Sequence, residues 1–121
     1  MSIKWLPEPK ESNYPAAMSY LSLIFNPKVA SDIVHELREA EVSDFAAKDI
    51  YRASGLTLLN ASNARIERDK AKVIRGDKLS PLLLCRDEQG KRLIVADGYH
   101  RLCAVYLIDE SAMIPCKIAS V

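Results

Sequence analysis

The sequence predicts a single α+β domain, helical in its N-terminal half and carrying a small mixed β-sheet in its C-terminal half. Two patterns and one junction predict it. From Asn13 to Arg75 apolar residues recur at helical spacing, interrupted by the stop signals Asn26-Pro27 and Gly55. From Lys78 onward the pattern becomes short apolar runs bounded by turn residues, as in strands. The junction is LIVADGYHRLCAVYLI, Leu93 to Ile108, where a β-branched run meets a helical one across Asp97-Gly98.

In chain order, Met1 to Ser12 contains Pro7 and Pro9 and reads as an extended arm, with Trp5 anchoring it because a large apolar ring gains from burial. Asn13 to Phe25 forms a first helix, with Pro15 at an early position and Ala17, Tyr20, Leu21 and Ile24 on one face. Asn26 caps a second helix that starts at Pro27, buries Val29, Ala30, Ile33, Val34 and Leu37, and ends near Ala40. His35 projects away from that stripe, to the surface. A third helix is expected from Phe45 to Ser54, capped by Ser43 or Asp44 and closed by Gly55. After a loop from Gly55 to Ser62, a charged helix runs from Asn63 to Arg75. Ile66, Val73 and Ile74 give it a narrow apolar stripe, which keeps it at the surface.

Pro81 marks the start of the strand region. Leu82 to Arg86 and Arg92 to Ala96 are expected to pair across the turn Asp87 to Gly90. A helix from His100 to Ile108 and a loop at Asp109 to Ser111 then lead to a last strand, Met113 to Ile118, expected beside the strand that precedes the helix.

Composition bounds the function. A chain of 121 residues fits one domain, residues 1–121, able to bury about two thirds of its unfolded surface. Lysine and arginine number 17 against 16 acids, a net charge of +1, which weighs against a broad footprint for nucleic acid. The mixed signs of RIERDKAK in the fourth helix weigh the same way. Cys85, Cys103 and Cys116 lie far apart in apolar surroundings, fitting reduced core thiols rather than a disulfide or zinc framework. No apolar run approaches the roughly 20 residues that cross a bilayer, and Met1 to Glu11 lacks a signal-peptide core, so a cytoplasmic protein without membrane contact is expected.

Chemistry concentrates at the junction. Tyr99, His100 and Arg101 fall in the first turn of a helix, where unpaired backbone N–H groups and the positive dipole end favour an anion. Charged His and Arg oppose that dipole by roughly 0.3–1 kcal/mol each, so stability gives little reason for them and a phosphate gives a good one. The plainer reading makes Asp97 a helix N-cap, Gly98 a turn residue, and His100 and Arg101 solvated. Lys48 and Arg52 share a face of the third helix and either form a solvated pair or help hold phosphates, with Asp49 placed to take up Arg52. Asn60 and Asn63 are polar candidates, although capping accounts for at least one.

The string ADGYHRLCA, with LSPLLLCRDEQGKRLIV before it and IPCKIA after it, resembles the core of the ParB/sulfiredoxin-like superfamily over Leu79 to Ala119. That family joins a hairpin to a helix through a Gly-x-His-Arg or Gly-x-x-Arg turn, and the resemblance implies a site for a nucleotide or other phosphate-bearing ligand at Gly98 to Arg101. Sulfiredoxins carry a cysteine where this chain has Tyr99, which disfavours sulfinic acid reduction. ParB proteins continue into a helix-turn-helix, whereas this chain stops at Val121, which disfavours that role in segregation. DGYHR is closest to the Asp-Gly-His-His-Arg turn of the free-serine kinases. By that likeness Asp97 serves as base or metal ligand, His100 and Arg101 take phosphates, and the cofactor is Mg2+ with a nucleotide such as ATP, ADP or CTP.

The expected function is therefore binding of a nucleotide or small phosphorylated ligand, with phosphoryl transfer or nucleotide hydrolysis as its chemistry; catalytic roles fall to Asp97 and His100. Two alternatives remain: a non-catalytic regulatory or protein-binding module, and a DNA-associated ParB-like protein. The apolar residues before Val121 suggest burial of that end in a partner or homodimer.

Overall fold

The computed structural model describes residues 2–59 and 63–121. In chain order these residues form β1 (Lys4–Trp5), α1 (Asn13–Ile24), α2 (Pro27–Glu39), β2 (Ser43–Ala46), α3 (Ala47–Ser54), α4 (Ala64–Arg75), β3 (Lys78–Leu79), β4 (Leu82–Asp87), β5 (Arg92–Asp97), α5 (Tyr99–Ile108) and β6 (Met113–Ser120). The class is α+β, with five helices and two small sheets. The expected loop at Asn60 to Ser62 lies outside the described residues.

The main sheet has the order β2-β6-β4-β5 and is mixed: β4 pairs antiparallel with β5 and parallel with β6, and β2 is antiparallel to β6. Alternation along β4 explains its two-sided burial. Leu83 and Cys85 face α1 and α2, joining Tyr14, Leu21, Ile33 and Leu37, while Leu82 and Leu84 face α3 and α5, joining Ile50, Leu102 and Val105. A strand covered on both faces needs a continuous apolar run, and Leu82 to Cys85 supplies one that is fully buried. Helix α5 is enclosed in turn: Leu102, Cys103, Ala104 and Val105 are all buried, because Cys103 and Ala104 meet Ile66 of α4 while Leu102 and Val105 meet the sheet layer.

The arm is anchored as expected. β1 pairs in parallel with β3, setting Lys4 beside Lys78 and Trp5 beside Leu79, and the Trp5 ring packs on the α3/α5 side of the core. The three cysteines are buried and free. Burial pushes the thiols of Cys85 and Cys116 up to about 11, so both stay protonated near neutral pH.

Four expectations are corrected. The third helix starts at Ala47, not Phe45, and neither Ser43 nor Asp44 caps it; Ser43 to Ala46 instead form β2, since β6 offers backbone partners from Cys116 to Met113. The last strand lies beside β4, one position away from β5, because β4 is the strand whose two sides both need a neighbour. In α1 the inward face is Tyr14, Ala17 and Leu21, leaving Tyr20 and Ile24 exposed. In α4, Ile74 points to solvent and the buried residues are Ile66 and Val73, about a quarter of a turn round the helix from it.

Candidate anion-binding site

The corner between β5 and α5 depends on Gly98. Its φ of +107° lies in the left-handed region, and a Cβ there would run into Leu82 and the Arg101 guanidinium. Glycine thus lets the chain turn directly from strand into helix while Arg101 folds back over the turn. Arg101 Nη2 lies 3.0 Å from Asp97 Oδ2 and 3.5 Å from the Pro81 carbonyl oxygen, and both side chains of the pair are largely buried. The Arg101 Nε–H is enclosed without a partner among the described residues. Asp97 therefore spends its charge on Arg101 rather than on the helix N–H groups, and α5 has no side-chain cap.

Beside this corner is a hollow of about 250 Å³. Arg65, Arg68, Asp69 and Lys72 of α4 form one wall, and residues 97–101 form the other. The wall is placed by Asn63, whose side-chain oxygen accepts from the N–H groups of Arg65 and Ile66 and so starts α4 in register with α5. Ile66, buried against Cys103 and Ala104, then fixes the rotation that turns Arg65, Arg68 and Lys72 toward the corner.

Charge is unevenly satisfied here. Lys72 Nζ is 3.8 Å from Asp69 Oδ1, whereas Arg65 and Arg68 are exposed and form no ion pair among the described residues. His100 has its pKa lowered, first by burial and then by the nearby Arg65, with Asp69 pulling the other way. It is therefore mainly neutral near pH 7 and offers one ring donor. Tyr99 is pushed up to about 12 by burial and by Cys103, so its hydroxyl keeps its proton. The two rings sit 5.8 Å apart, tilted by 59°.

Of the residues singled out in the sequence, Asp97, Gly98, Tyr99, His100 and Arg101 line this hollow. Asn63 lies at the start of its opposite wall as a cap. Lys48 and Arg52 lie on α3, outside the hollow's lining, and Arg52 is 3.7 Å from Asp49. Asn60 lies outside the described residues. Sequence reasoning missed Arg65, Arg68 and Lys72. Their i, i+3, i+7 spacing was the available signal, obscured by the acids Glu67 and Asp69 between them.

A bound magnesium ion takes one or two protein carboxylates plus phosphate oxygens. The carboxylates here are Asp97, held by Arg101, and Asp69, beside Lys72, and the described residues contain no group of three His, Cys, Asp or Glu side chains able to hold a metal. These residues do not fit a magnesium held by Asp97, since ligation there would first have to displace the largely buried Arg101 guanidinium.

Fold and site together define an α+β domain with a cation-walled hollow at the carboxyl end of a strand. Set against protein-family models, curated proteins and solved structures, the chain matches none.

Proposed function

We propose that the protein binds a nucleotide through its phosphates, in the hollow between α4 and the DGYHR corner. The observation that carries this reading is the pair Arg65 and Arg68, two guanidiniums without carboxylate partners among the described residues, facing the first turn of α5. Guanidiniums pair with phosphate oxygens in a bidentate way, and a helix N-terminus supplies N–H donors for the same group. Tyr99 and His100 add ring surface beside the cations, which suits a ligand with a base attached.

Binding without turnover is the form this reading takes. Asp97 has the position expected of a base, but its Oδ2 already accepts a hydrogen bond at 3.0 Å from the largely buried Arg101 guanidinium, so it is engaged in the fold before any substrate arrives. A ligand at about 100 times its Kd would stabilise the fold by about 2.7 kcal/mol, a rise in melting temperature of about 10 °C for a domain of this size. A thermal-shift panel of mononucleotides, with and without magnesium, tests it. The expected result is a rise with at least one compound that needs no metal and disappears in Arg68→Ala. No rise with any nucleotide or with inorganic phosphate at millimolar concentration would refute it. Phosphate release dependent on Asp97 would replace binding with catalysis.

A further inference from the structure

The chain's net charge of +1 conceals a strong segregation of charge. Arg65, Arg68, Lys72 and Arg75 stand at i, i+3, i+7 and i+10 of α4, one stripe about 15 Å long at the helical rise. The stripe continues past the helix. Lys4 Nζ lies 3.8 Å from where a Gly76 Cβ would be, just beyond the last turn, and Lys78 is the strand partner of Lys4. Among the described residues two carboxylates are spent on these six cations, Asp69 beside Lys72 and Asp77 at 2.8 Å from Arg75. The remainder of the chain carries eleven cations against fourteen acids, so the positive excess of the chain lies on this stripe.

Such a stripe matches a linear polyanion better than a compact one, because a single phosphate at the corner cannot reach Arg75 or the lysines beyond it. The hollow beside the stripe says which polyanion. From Arg65 to Lys72 the stripe forms a wall of the hollow with the Tyr99 and His100 rings, a seat for one base removed from a stack, while Arg75 and the two lysines lie beyond it. A duplex keeps its bases paired and stacked, and inorganic polyphosphate has no base to offer. We infer that the basic stripe of α4, with Lys4 and Lys78 at its far end, is a track for the backbone of single-stranded nucleic acid, one nucleotide of which occupies the hollow.

This inference rests on the nucleotide reading of the hollow and extends it to a strand. The mixed signs of RIERDKAK pointed the other way in the sequence, but in three dimensions Glu67 and Lys70 pair with each other at 3.8 Å off the stripe.

The experiment measures fluorescence anisotropy of a labelled single strand of about a dozen nucleotides, within the usual range of such sites. It is titrated with wild-type protein and with the double variant Arg75→Gln, Lys78→Gln, whose changes are exposed and lie outside the hollow. Melting temperatures verify folding, and the salt dependence of the wild type gives a second readout independent of any variant. The expected results are three. The strand binds at least tenfold more tightly than a mononucleotide, its affinity falls with a log–log salt slope of about −3, as for four phosphates, and the double variant loses at least fivefold for the strand but nothing for the mononucleotide. Equal affinity for strand and mononucleotide overturns the track while leaving the nucleotide reading intact. Equal binding of a duplex, or competition by inorganic polyphosphate as effective as by the unlabelled strand, also overturns it. Strand binding that survives while mononucleotides fail to bind places the track ahead of the hollow and overturns the one-nucleotide seat.

Discussion

On the α1/α2 side of the sheet, Lys117 is only 3% exposed, with its ammonium 3.0 Å from Glu8 Oε1 and donating to the Arg38 carbonyl oxygen at 3.2 Å. Arg38 lies 4.3 Å over the Tyr14 ring and pairs with Glu11 at 2.6 Å. Burial alone would lower the Lys117 pKa, but Glu8 and Tyr14 outweigh it and the net shift is upward. On the α4/α5 side the same kinds of group, arginine, lysine, carboxylate and tyrosine, surround a hollow, and there Arg65 and Arg68 find no carboxylate among the described residues. The first cluster ties the N-terminal arm to β6 and leaves nothing unspent. The second keeps charge in reserve, and unspent charge facing a concavity is what a ligand can use.

The largest effect is expected at Asp97, where the open side contains a largely buried pair. Asp97→Asn leaves the Arg101 guanidinium largely buried without its counter-charge, and the expected cost is about 3 kcal/mol, read as a lower urea midpoint with unchanged slope. Anion binding should be little changed. A gain in anion affinity would instead move Arg101 into the reserve that serves the ligand. Lys117→Met comes next. It deprives the Arg38 carbonyl of its donor and frees Glu8 to water, so about 2 kcal/mol of stability should go while ligand binding at the hollow stays intact. Loss of binding along with stability would show that the two clusters are one unit.

The sequence displayed the closed features better than the open ones. The two α1/α2 boundaries, the hairpin, the arm anchored by Trp5 and the DGYHR corner were all legible because each rests on a local signal: a proline, a turn, a period of apolar residues. β2 was not, because four residues, three of them exposed and Ala46 half-buried, become a strand only when β6 arrives from about 70 positions later. The parallel neighbour of β4 was hidden for the same reason. At the site, residues 97–101 were visible as a motif, whereas the opposite wall belongs to α4, whose acids and bases alternate in sequence and separate only once Ile66 and Val73 fix which way the helix faces. The role of Arg101 was also beyond sequence reasoning, since Asp97 and Arg101 meet only because Gly98 allows the guanidinium to lie over the turn.

A double variant, Arg65→Ala with Arg68→Ala, separates reserve from structure most directly. Both side chains are exposed and unpaired among the described residues, so stability should move by less than about 0.5 kcal/mol. Phosphate and nucleotide binding should fall below detection in the same thermal-shift assay. A large loss of stability would mean that these arginines are spent on the fold after all, and that the two sides of the molecule differ less than their geometry indicates.

The smallest effect is the dependence on pH through His100. Burial, and then Arg65, lower its pKa from 6.5, so the folded protein resists protonation while the unfolded chain accepts it. Stability without ligand is therefore retained above about pH 6.5 and declines as pH falls through that value, the direction linkage requires when the unfolded state binds more protons. An anion in the hollow reverses the local field at the imidazole and favours its charged form. Affinity should accordingly rise as pH falls from about 8 to about 5.5, by less than tenfold per pH unit for one proton. Sulfate is the probe for this, because a phosphate monoester loses charge near pH 6 and would mask the trend. In His100→Gln the sulfate affinity should become flat with pH. A rise that persists in that variant would assign the proton to another group, and a flat profile in the wild type would place the anion away from His100, toward the Lys72 end of the wall.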